Sequence, residues 1–131
     1  MRTLKLTSSQ TNELIDITDS VRDIASDSGI QNGLVLIYTP HTTAAITINE
    51  NADPDVITDL LAGLDRIAPL QNNYRHLEGN SAAHIKSSLV GASETVILSA
   101  GSLQLGTWQD LYFCEFDGPR ARKVYIQVLG T

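Results

Sequence analysis

Residues 106–130 read GTWQDLYFCEFDGPRARKVYIQVLG, and this segment constrains the fold more than any other. Val124, Ile126 and Val128 alternate with other residues, which is the period-two pattern of a β-strand with one buried face. The Asp117–Gly118–Pro119 sequence between the two halves is typical of a turn. The segment therefore predicts two long strands that are joined by a turn.

Five further segments have strand-like patterns, namely residues 3–7, 13–17, 33–39, 42–49 and 94–101. Residues 33–39 (GLVLIYT) are apolar on both faces, which favours a central strand covered on both sides. Three segments favour helices. One spans residues 19–28, with Thr18 as a candidate N-cap and Gly29 after its end.

The second helix is expected to begin with Asp53 as its cap and Pro54 in its first turn, and to stop at Pro69. The third is short, with Asn80 or Ser81 as its cap and Gly91 at its end. Together these elements predict a single domain over residues 1–131. We expect an α+β fold with a mainly antiparallel, sandwich-like sheet of about seven strands and two to three helices.

Composition narrows the function classes. The chain has a net charge of −6 and nine scattered basic residues, so we expect no nucleic-acid partner. No apolar run approaches the ~20 residues that span a bilayer, and no targeting segment is recognisable, so we expect no membrane association and a cytoplasmic location. The single cysteine, Cys114, is interpreted as a small buried hydrophobe. Residues 118–123 (GPRARK) are interpreted as a solvated hairpin turn.

All three histidines lie in polar stretches. His41 follows Pro40 between two predicted strands, His76 lies in a loop, and His84 lies near the start of the short helix. These residues alone leave two readings open: three solvated surface histidines, or a three-histidine zinc site with one open position, assembled from distant segments.

Two other segments contain candidate chemistry. Glu50 lies just past a predicted strand end, where a base or a metal ligand could project, although the acidic residues after it are explained by a helix start. Residues 101–109 (GSLQLGTWQ) could expose backbone N–H groups to an anion, or could be an ordinary connection between strands.

Three stretches in this order and spacing resemble the YjbQ family, also described as secondary thiamine-phosphate synthase enzymes: residues 41–56, 76–91 and 101–124. The resemblance covers nearly the whole chain. It implies a compact α+β domain that assembles as a homotrimer. It also implies a metal or anion site built around His41, His76 and His84, with zinc as the expected divalent ion, or magnesium together with a phosphorylated substrate.

The resemblance further suggests roles for individual residues. Glu50 and His84 are the expected catalytic residues, and Glu78 and Asn80 are expected to orient the histidine rings. The expected phosphate-binding residues are Thr42, Arg75, Gly106, Thr107 and Gln109. Family members often have two adjacent acidic residues where this chain has Asn80 and Ser81, which can form hydrogen bonds but bring no charge.

Two functions follow as expectations. The first is a metal-binding enzyme that acts on phosphorylated small molecules, with weak, secondary thiamine-phosphate synthase activity. The second is a non-catalytic homotrimeric module that binds a metal or a small metabolite.

Overall fold

Eight strands and three helices make up the fold, and the computed structural model describes residues 1–131. The strands are β1 (Arg2–Thr7), β2 (Glu13–Asp16), β3 (Gly33–Tyr38), β4 (Ala44–Glu50), β5 (Ser93–Ser99), β6 (Ser102–Leu103), β7 (Gln109–Glu115) and β8 (Ala121–Gly130). The helices are α1 (Thr18–Asp27), α2 (Pro54–Ile67) and α3 (Ser81–Val90). The predicted α+β class is confirmed, and β6 is an additional strand of two residues.

The strands form two antiparallel sheets. One has five strands in the order β1-β8-β3-β5-β6, and the other has three in the order β2-β7-β4. Apolar side chains from both sheets meet between them in one core cluster, which includes Val35, Ile37, Ile46, Leu111, Phe113, Val124 and Ile126. Because alternate residues of each strand face this core, the arrangement is the expected sandwich.

The turn at residues 117–119 does not close a hairpin. β7 pairs with β2 and β4, whereas β8 pairs with β1 and β3, so the turn carries the chain from one sheet to the other. A Cβ at Gly118 would lie 2.2 Å from the carbonyl oxygen of Gln10 and 2.7 Å from Oγ of Ser8. Glycine is required there because the crossing chain lies against the segment that follows β1.

β3 is the central strand of its sheet, as predicted, but within one chain only one of its two faces is covered. Val35 and Ile37 are fully buried, but Leu34 and Tyr38 are 42% and 41% exposed. The helices pack elsewhere: α1 contributes its buried residues to the core between the sheets, and α2 and α3 contact β4 of the other sheet. A strand with an apolar outer face has the same continuous hydrophobic sequence as a strand between two layers, so the sequence pattern could not separate the two cases.

All three helices start within one residue of the predicted position, but only one of the three predicted side-chain caps forms. The side chain of Asp53 accepts a hydrogen bond from the N–H of Asp55, and Pro54 begins α2, as predicted. Thr18 is not an N-cap, because it is the first residue of α1 and its hydroxyl donates to Oδ1 of Asp16 at 2.7 Å. Asn80 precedes α3 but makes no side-chain cap.

α3 packs on the outer face of the three-stranded sheet. Ala83 of this helix forms a second small cluster with Ala45, Cys114 and Phe116. Cys114 is buried, and burial raises the pKa of its thiol to about 12, which confirms its interpretation as a buried hydrophobe. This packing fixes the start of α3, and with it His84, beside the point where the chain crosses between the sheets. None of the three helices has the length and apolarity needed to cross a membrane.

Candidate functional site

One cleft of about 400 Å³ is lined by all three histidines. It lies where the loop after β3, the start of α3 and the turn between β7 and β8 meet. Its eleven lining residues include no apolar side chain apart from proline: Pro40, His41, Thr42, Thr43, His76, Glu78, Asn80, His84, Asp117, Arg120 and Arg122. The fold therefore brings six of the residues singled out in the sequence into one polar space: His41, Thr42, His76, Glu78, Asn80 and His84.

His41 is held by the backbone of β8. Its Nε2 accepts a hydrogen bond from the N–H of Lys123 at 3.1 Å. Burial lowers the pKa of His41, and the positive charge of Arg122 lowers it further, so the ring is neutral at neutral pH. A neutral imidazole whose Nε2 accepts a hydrogen bond carries its proton on Nδ1. His41 therefore offers an N–H donor and has no free lone pair.

His76 and His84 form a pair across the cleft. Their ring centroids are 5.6 Å apart and the rings are nearly perpendicular, at 87°. His84 lies in the first turn of α3, whereas His76 comes from the preceding loop, where Oε1 of Glu78 lies 3.9 Å from its Nε2. Two imidazoles at this separation can exchange protons with the same small ligand.

The three imidazoles do not fit a metal ion as they are arranged. No group of three or more histidine, cysteine, aspartate or glutamate side chains in the chain is placed to hold one. The chemistry of His41 explains part of this result, since a metal would need the Nε2 lone pair that the N–H of Lys123 occupies. Metal binding by all three histidines stays a prediction, and it requires His41 to release Lys123.

Asn80 joins the cleft to the turn between β7 and β8. Its Nδ2 donates to Oδ2 of Asp117 at 2.8 Å, and Asp117 also accepts from Nη2 of Arg120 at 3.1 Å. Oδ1 of Asn80 is the one fully buried side-chain polar atom in the protein that has no hydrogen-bond partner. The hydrogen bond from Nδ2 to Asp117 fixes the orientation of the amide, and in this orientation Oδ1 does not cap α3.

A buried ion pair closes the end of the sandwich behind the cleft. Glu115 from β7 and Arg122 from β8 face each other between the sheets, with 0% and 5% of their surfaces exposed. Glu115 accepts from Nε and Nη2 of Arg122, from Oγ of Ser8 at 2.6 Å, and from the N–H of Asp117 at 3.0 Å. Burial alone would raise the pKa of Glu115, but these hydrogen bonds and the charge of Arg122 outweigh it, and the pKa is lowered.

Four of the expected site residues lie at the end of β4 that is far from the cleft, namely Glu50, Gly106, Thr107 and Gln109. Thr42 and Thr43 precede this strand at the cleft, whereas Glu50 is its last residue, ~20 Å away at about 3.3 Å per residue. Oε2 of Glu50 accepts from the N–H of Ala52 and so stabilises a local turn. Within a single chain, Glu50 therefore lies apart from the histidine cleft, and its catalytic role stays a prediction.

The loop that contains Gly106, Thr107 and Gln109 lies beside Glu50, because Gln109 pairs with Glu50 in the sheet. The N–H of Gly106 donates to Oε1 of Gln109 at 2.8 Å, so this backbone donor is already used within the loop. These residues cannot hold an anion in the histidine cleft of the same chain. Their hydrogen bonds instead fit the alternative of an ordinary connection between strands.

Arg75 and Thr42 have different outcomes. Thr42 lines the cleft, and its carbonyl oxygen accepts from Oγ of Ser87 at 2.6 Å, which ties the loop to α3. Arg75 is not among the residues that line the cleft. It lines a neighbouring shallow depression together with His76 and His84.

Arg122 was missed as a site residue in the sequence. A signal was present, because Arg122 has the same strand parity as Val124, Ile126 and Val128, whose alternation marks the buried face of β8. An arginine in line with core residues needs a buried acid or a ligand. Asp117 carried no comparable signal, since it joins the cleft only through the crossing of the chain between the sheets. Thr43 precedes β4 and adjoins Thr42, which had been singled out.

The fold and the site together define a class: a small two-sheet α+β domain with a polar three-histidine cleft at one end of the sandwich. The family model described as UPF0047 protein YjbQ-like matches residues 2–131, and the chain belongs to this family. A UPF0047 protein YugU from Bacillus subtilis is 54% identical over 131 residues, covering 99% of each chain. A UPF0047 protein from Archaeoglobus fulgidus is 44% identical over 89% of this chain and 91% of its own length.

Solved structures agree with this assignment. An uncharacterised conserved protein of the YjbQ/UPF0047 family from Clostridium acetobutylicum is 50% identical and superposes with a TM-score of 0.97, over 98% of this chain and all of that one. A protein of unknown function from Sulfolobus solfataricus is 33% identical, with a TM-score of 0.96 over 99% of this chain and 96% of its own.

Proposed function

We propose that the histidine cleft binds a phosphorylated small molecule and transfers protons to and from it. The observation that carries the proposal is the lining of the cleft, where three imidazoles and two arginines enclose about 400 Å³ without an aliphatic side chain. This volume suits a small metabolite. Imidazole is the side chain best suited to exchange protons near neutral pH, and arginine is suited to phosphate.

The proposed roles follow from the geometry of the three rings. His84 and His76 are the proton-transferring groups, because they face each other 5.6 Å apart. His41 is a positioning group that donates from Nδ1, since Lys123 holds its Nε2. No step of this chemistry runs through a metal ion, because the imidazoles do not fit one as they are arranged.

A weak thiamine-phosphate synthase activity is the specific reaction that the family resemblance suggests. In that reaction the ring nitrogen of a thiazole phosphate attacks the methylene carbon of a pyrimidine diphosphate. A C–N bond forms, the C–O bond to the diphosphate breaks, and pyrophosphate leaves with the bonding electron pair. A protonated His76 or His84 would supply a proton to that leaving oxygen, and the arginines would balance its charge.

The alternative is a module that binds a metabolite without converting it. The charge balance of the cleft favours this reading, because Arg120 is paired with Asp117, and Arg122 with Glu115. The catalytic carboxylate expected at Glu50 is also absent from this end of the molecule.

Turnover and binding measured separately decide between the two functions. We expect the purified wild-type protein to form thiamine phosphate from the two heterocyclic phosphates above a heat-inactivated control. His84→Ala should lose this activity while it still binds the pyrimidine diphosphate. No product from wild-type protein that binds both substrates would contradict the enzymatic reading and leave the binding module.

We also propose that the chains associate as homotrimers. Two surfaces support this proposal: the outer face of the five-stranded sheet, where Leu34, Ile97 and Leu129 are exposed, and α2, none of whose residues is fully buried. A small domain gains stability when it covers such apolar surface in a symmetric interface.

A further inference from the structure

We infer that Arg122 is the residue that recognises phosphate in the histidine cleft. Its guanidinium is held from behind by Glu115 and presents Nη1 to the phosphate or diphosphate group of the ligand. The inference rests on the proposed function and names the chemical group that the cleft selects and the side chain that selects it.

Most of the Arg122 guanidinium is committed to protein atoms. Nε donates to Oε1 of Glu115 at 2.8 Å, and Nη2 donates to Oε2 of Glu115 and to Oγ1 of Thr43 at 2.9 Å. Nη1, with two further N–H donors, makes no hydrogen bond within the protein. The side chain is nevertheless 95% or more buried, with a residue exposure of 5%.

Nη1 borders open space. The only side-chain nitrogen or oxygen in the protein that is both fully buried and without a hydrogen-bond partner is Oδ1 of Asn80. Because Nη1 also has no partner, it is not fully buried. Arg122 lines the histidine cleft, and it also borders a shallow groove that contains Lys5 and Lys123. The groove thus adds two further cations, whereas in the cleft Arg120 is paired with Asp117 and Glu78 adds a further carboxylate.

The buried pair is costly if it serves stability alone. Apolar residues of similar volume usually fill such a site as well or better, because two desolvated charges regain little more than their desolvation cost. A guanidinium that is held in one orientation has already lost its conformational entropy before a ligand binds. Its planar donor edge suits phosphate oxygens. A fixed donor edge toward the cleft therefore explains a buried arginine that the fold itself does not need.

Two further features surround the same space. Arg120 is half-exposed at the rim, and the amino-terminal end of α3 opens on the cleft through Asn80 and His84. The positive end of a ten-residue helix favours an anion.

Binding of inorganic pyrophosphate, measured by titration calorimetry, tests the inference with three variants. Arg122→Lys keeps the charge but loses the forked donor edge, and we expect its affinity to fall at least tenfold. Glu115→Gln removes the compensating charge, and we expect lower thermal stability together with severalfold tighter pyrophosphate binding. Arg75→Gln removes a cation outside the cleft lining, and we expect a change of less than twofold.

The outcomes separate the inference from the proposed function. Unchanged affinity in a folded Arg122→Lys variant would overturn the inference, as would a loss of affinity in Glu115→Gln that parallels its loss of stability. If Arg122→Lys does not fold, Glu115→Gln still tests the inference, because we expect its thermal stability to fall and its affinity for pyrophosphate to rise. Pyrophosphate binding that ignores Arg122 while turnover still requires His84 would leave the proposed function intact. Failure of the wild-type protein to bind pyrophosphate would contradict both.

Discussion

Two parts of β7 fill the space between the sheets in opposite ways. Leu111 and Phe113 in its middle are fully buried among aliphatic side chains from both sheets. Two residues further on, Glu115 is equally buried but faces Arg122. The same inward alternation thus delivers an apolar core in one place and an ion pair in the other.

The difference shows what each part of the strand contributes. An apolar core needs mainly the right volume and polarity, and it stabilises the fold without selecting a ligand. The ion pair adds little net stability but fixes the direction of a charged group. We therefore expect changes in the middle of β7 to affect stability alone, and changes at its end to affect stability and binding together.

Phe113→Ala should have the largest effect on stability. Removing a fully buried aromatic side chain leaves a cavity, and the free energy of unfolding should fall by about 3–5 kcal/mol. Urea denaturation measures this change. Pyrophosphate binding at a temperature where the variant is folded should stay within twofold of wild type, and a tenfold loss would show that the core also shapes the cleft.

Arg122→Met should cost about 3 kcal/mol or more, because it leaves the buried carboxylate of Glu115 without a partner. The double change Glu115→Leu and Arg122→Met removes both charges and should recover most of that loss. Urea denaturation of the two singles and the double gives the coupling energy. A double variant no more stable than Arg122→Met would mean that the ion pair contributes structure which apolar residues cannot replace.

The pH dependence of stability should separate the two ends of β7. Glu115 has a lowered pKa in the folded protein, so its stabilising effect is complete above its ordinary value of 4.5 and is lost as the pH falls through the lowered value. Wild type should therefore lose stability in acid faster than Glu115→Gln. Unfolding midpoints measured between pH 7 and pH 3 would show parallel curves if Glu115 contributed nothing.

Asp110, at the start of β7, provides the control with the opposite sign. A shared hydrogen bond with Asp16, together with burial, raises the pKa of Asp110 above its ordinary value of 3.8. Its ionisation therefore weakens the fold as the pH rises through the window above 3.8. Asp110→Asn should remove this loss of stability at rising pH. It should leave unchanged the loss of stability in acid that is caused by protonation of Glu115.

Much of the fold could be predicted from local patterns, and its pairing could not. Alternation located β7 and β8, and Asp53 with Pro54 marked the start of α2, because both signals depend on near neighbours. The partner sheet of each strand depends on distant contacts. A turn containing Gly118 and Pro119 suits a hairpin and a crossing between sheets equally, so the sequence favoured the simpler connection.

The site was only partly predictable for a related reason. The convergence of His41, His76 and His84 requires three loops to meet, and no spacing between them indicates this; the family resemblance did. The same resemblance suggested a catalytic role for Glu50, although β4 separates it by its whole length from the cleft of the same chain. The in-line position of Arg122 with Val124 was the one local signal that remained unused.

Zinc should have a smaller effect than either end of β7. We expect weak binding through His76 and His84, with stabilisation of about 1.4 kcal/mol at free zinc ten times the dissociation constant. Thermal melts with zinc and after chelation measure it. His84→Ala should remove the zinc effect and His41→Ala should not, because Lys123 occupies Nε2 of His41. Loss of the effect in His41→Ala would show that His41 releases Lys123 to bind the metal.

The smallest effect on the stability of a single chain is expected on the outer face of the five-stranded sheet, outside the core. Ile97 is 59% exposed there and pairs with Leu34, so Ile97→Lys should change the unfolding free energy of one chain by less than about 0.5 kcal/mol. Its effect on assembly should be complete, because a lysine in the middle of an apolar interface leaves an unpaired charge. Light scattering should give the mass of three chains for wild type and for Leu77→Lys, which alters an exposed loop residue, and the mass of one chain for Ile97→Lys. A trimer that survives Ile97→Lys but dissociates with Ile67→Lys would move the interface from the sheet to α2, and a monomeric wild type would contradict the trimer itself.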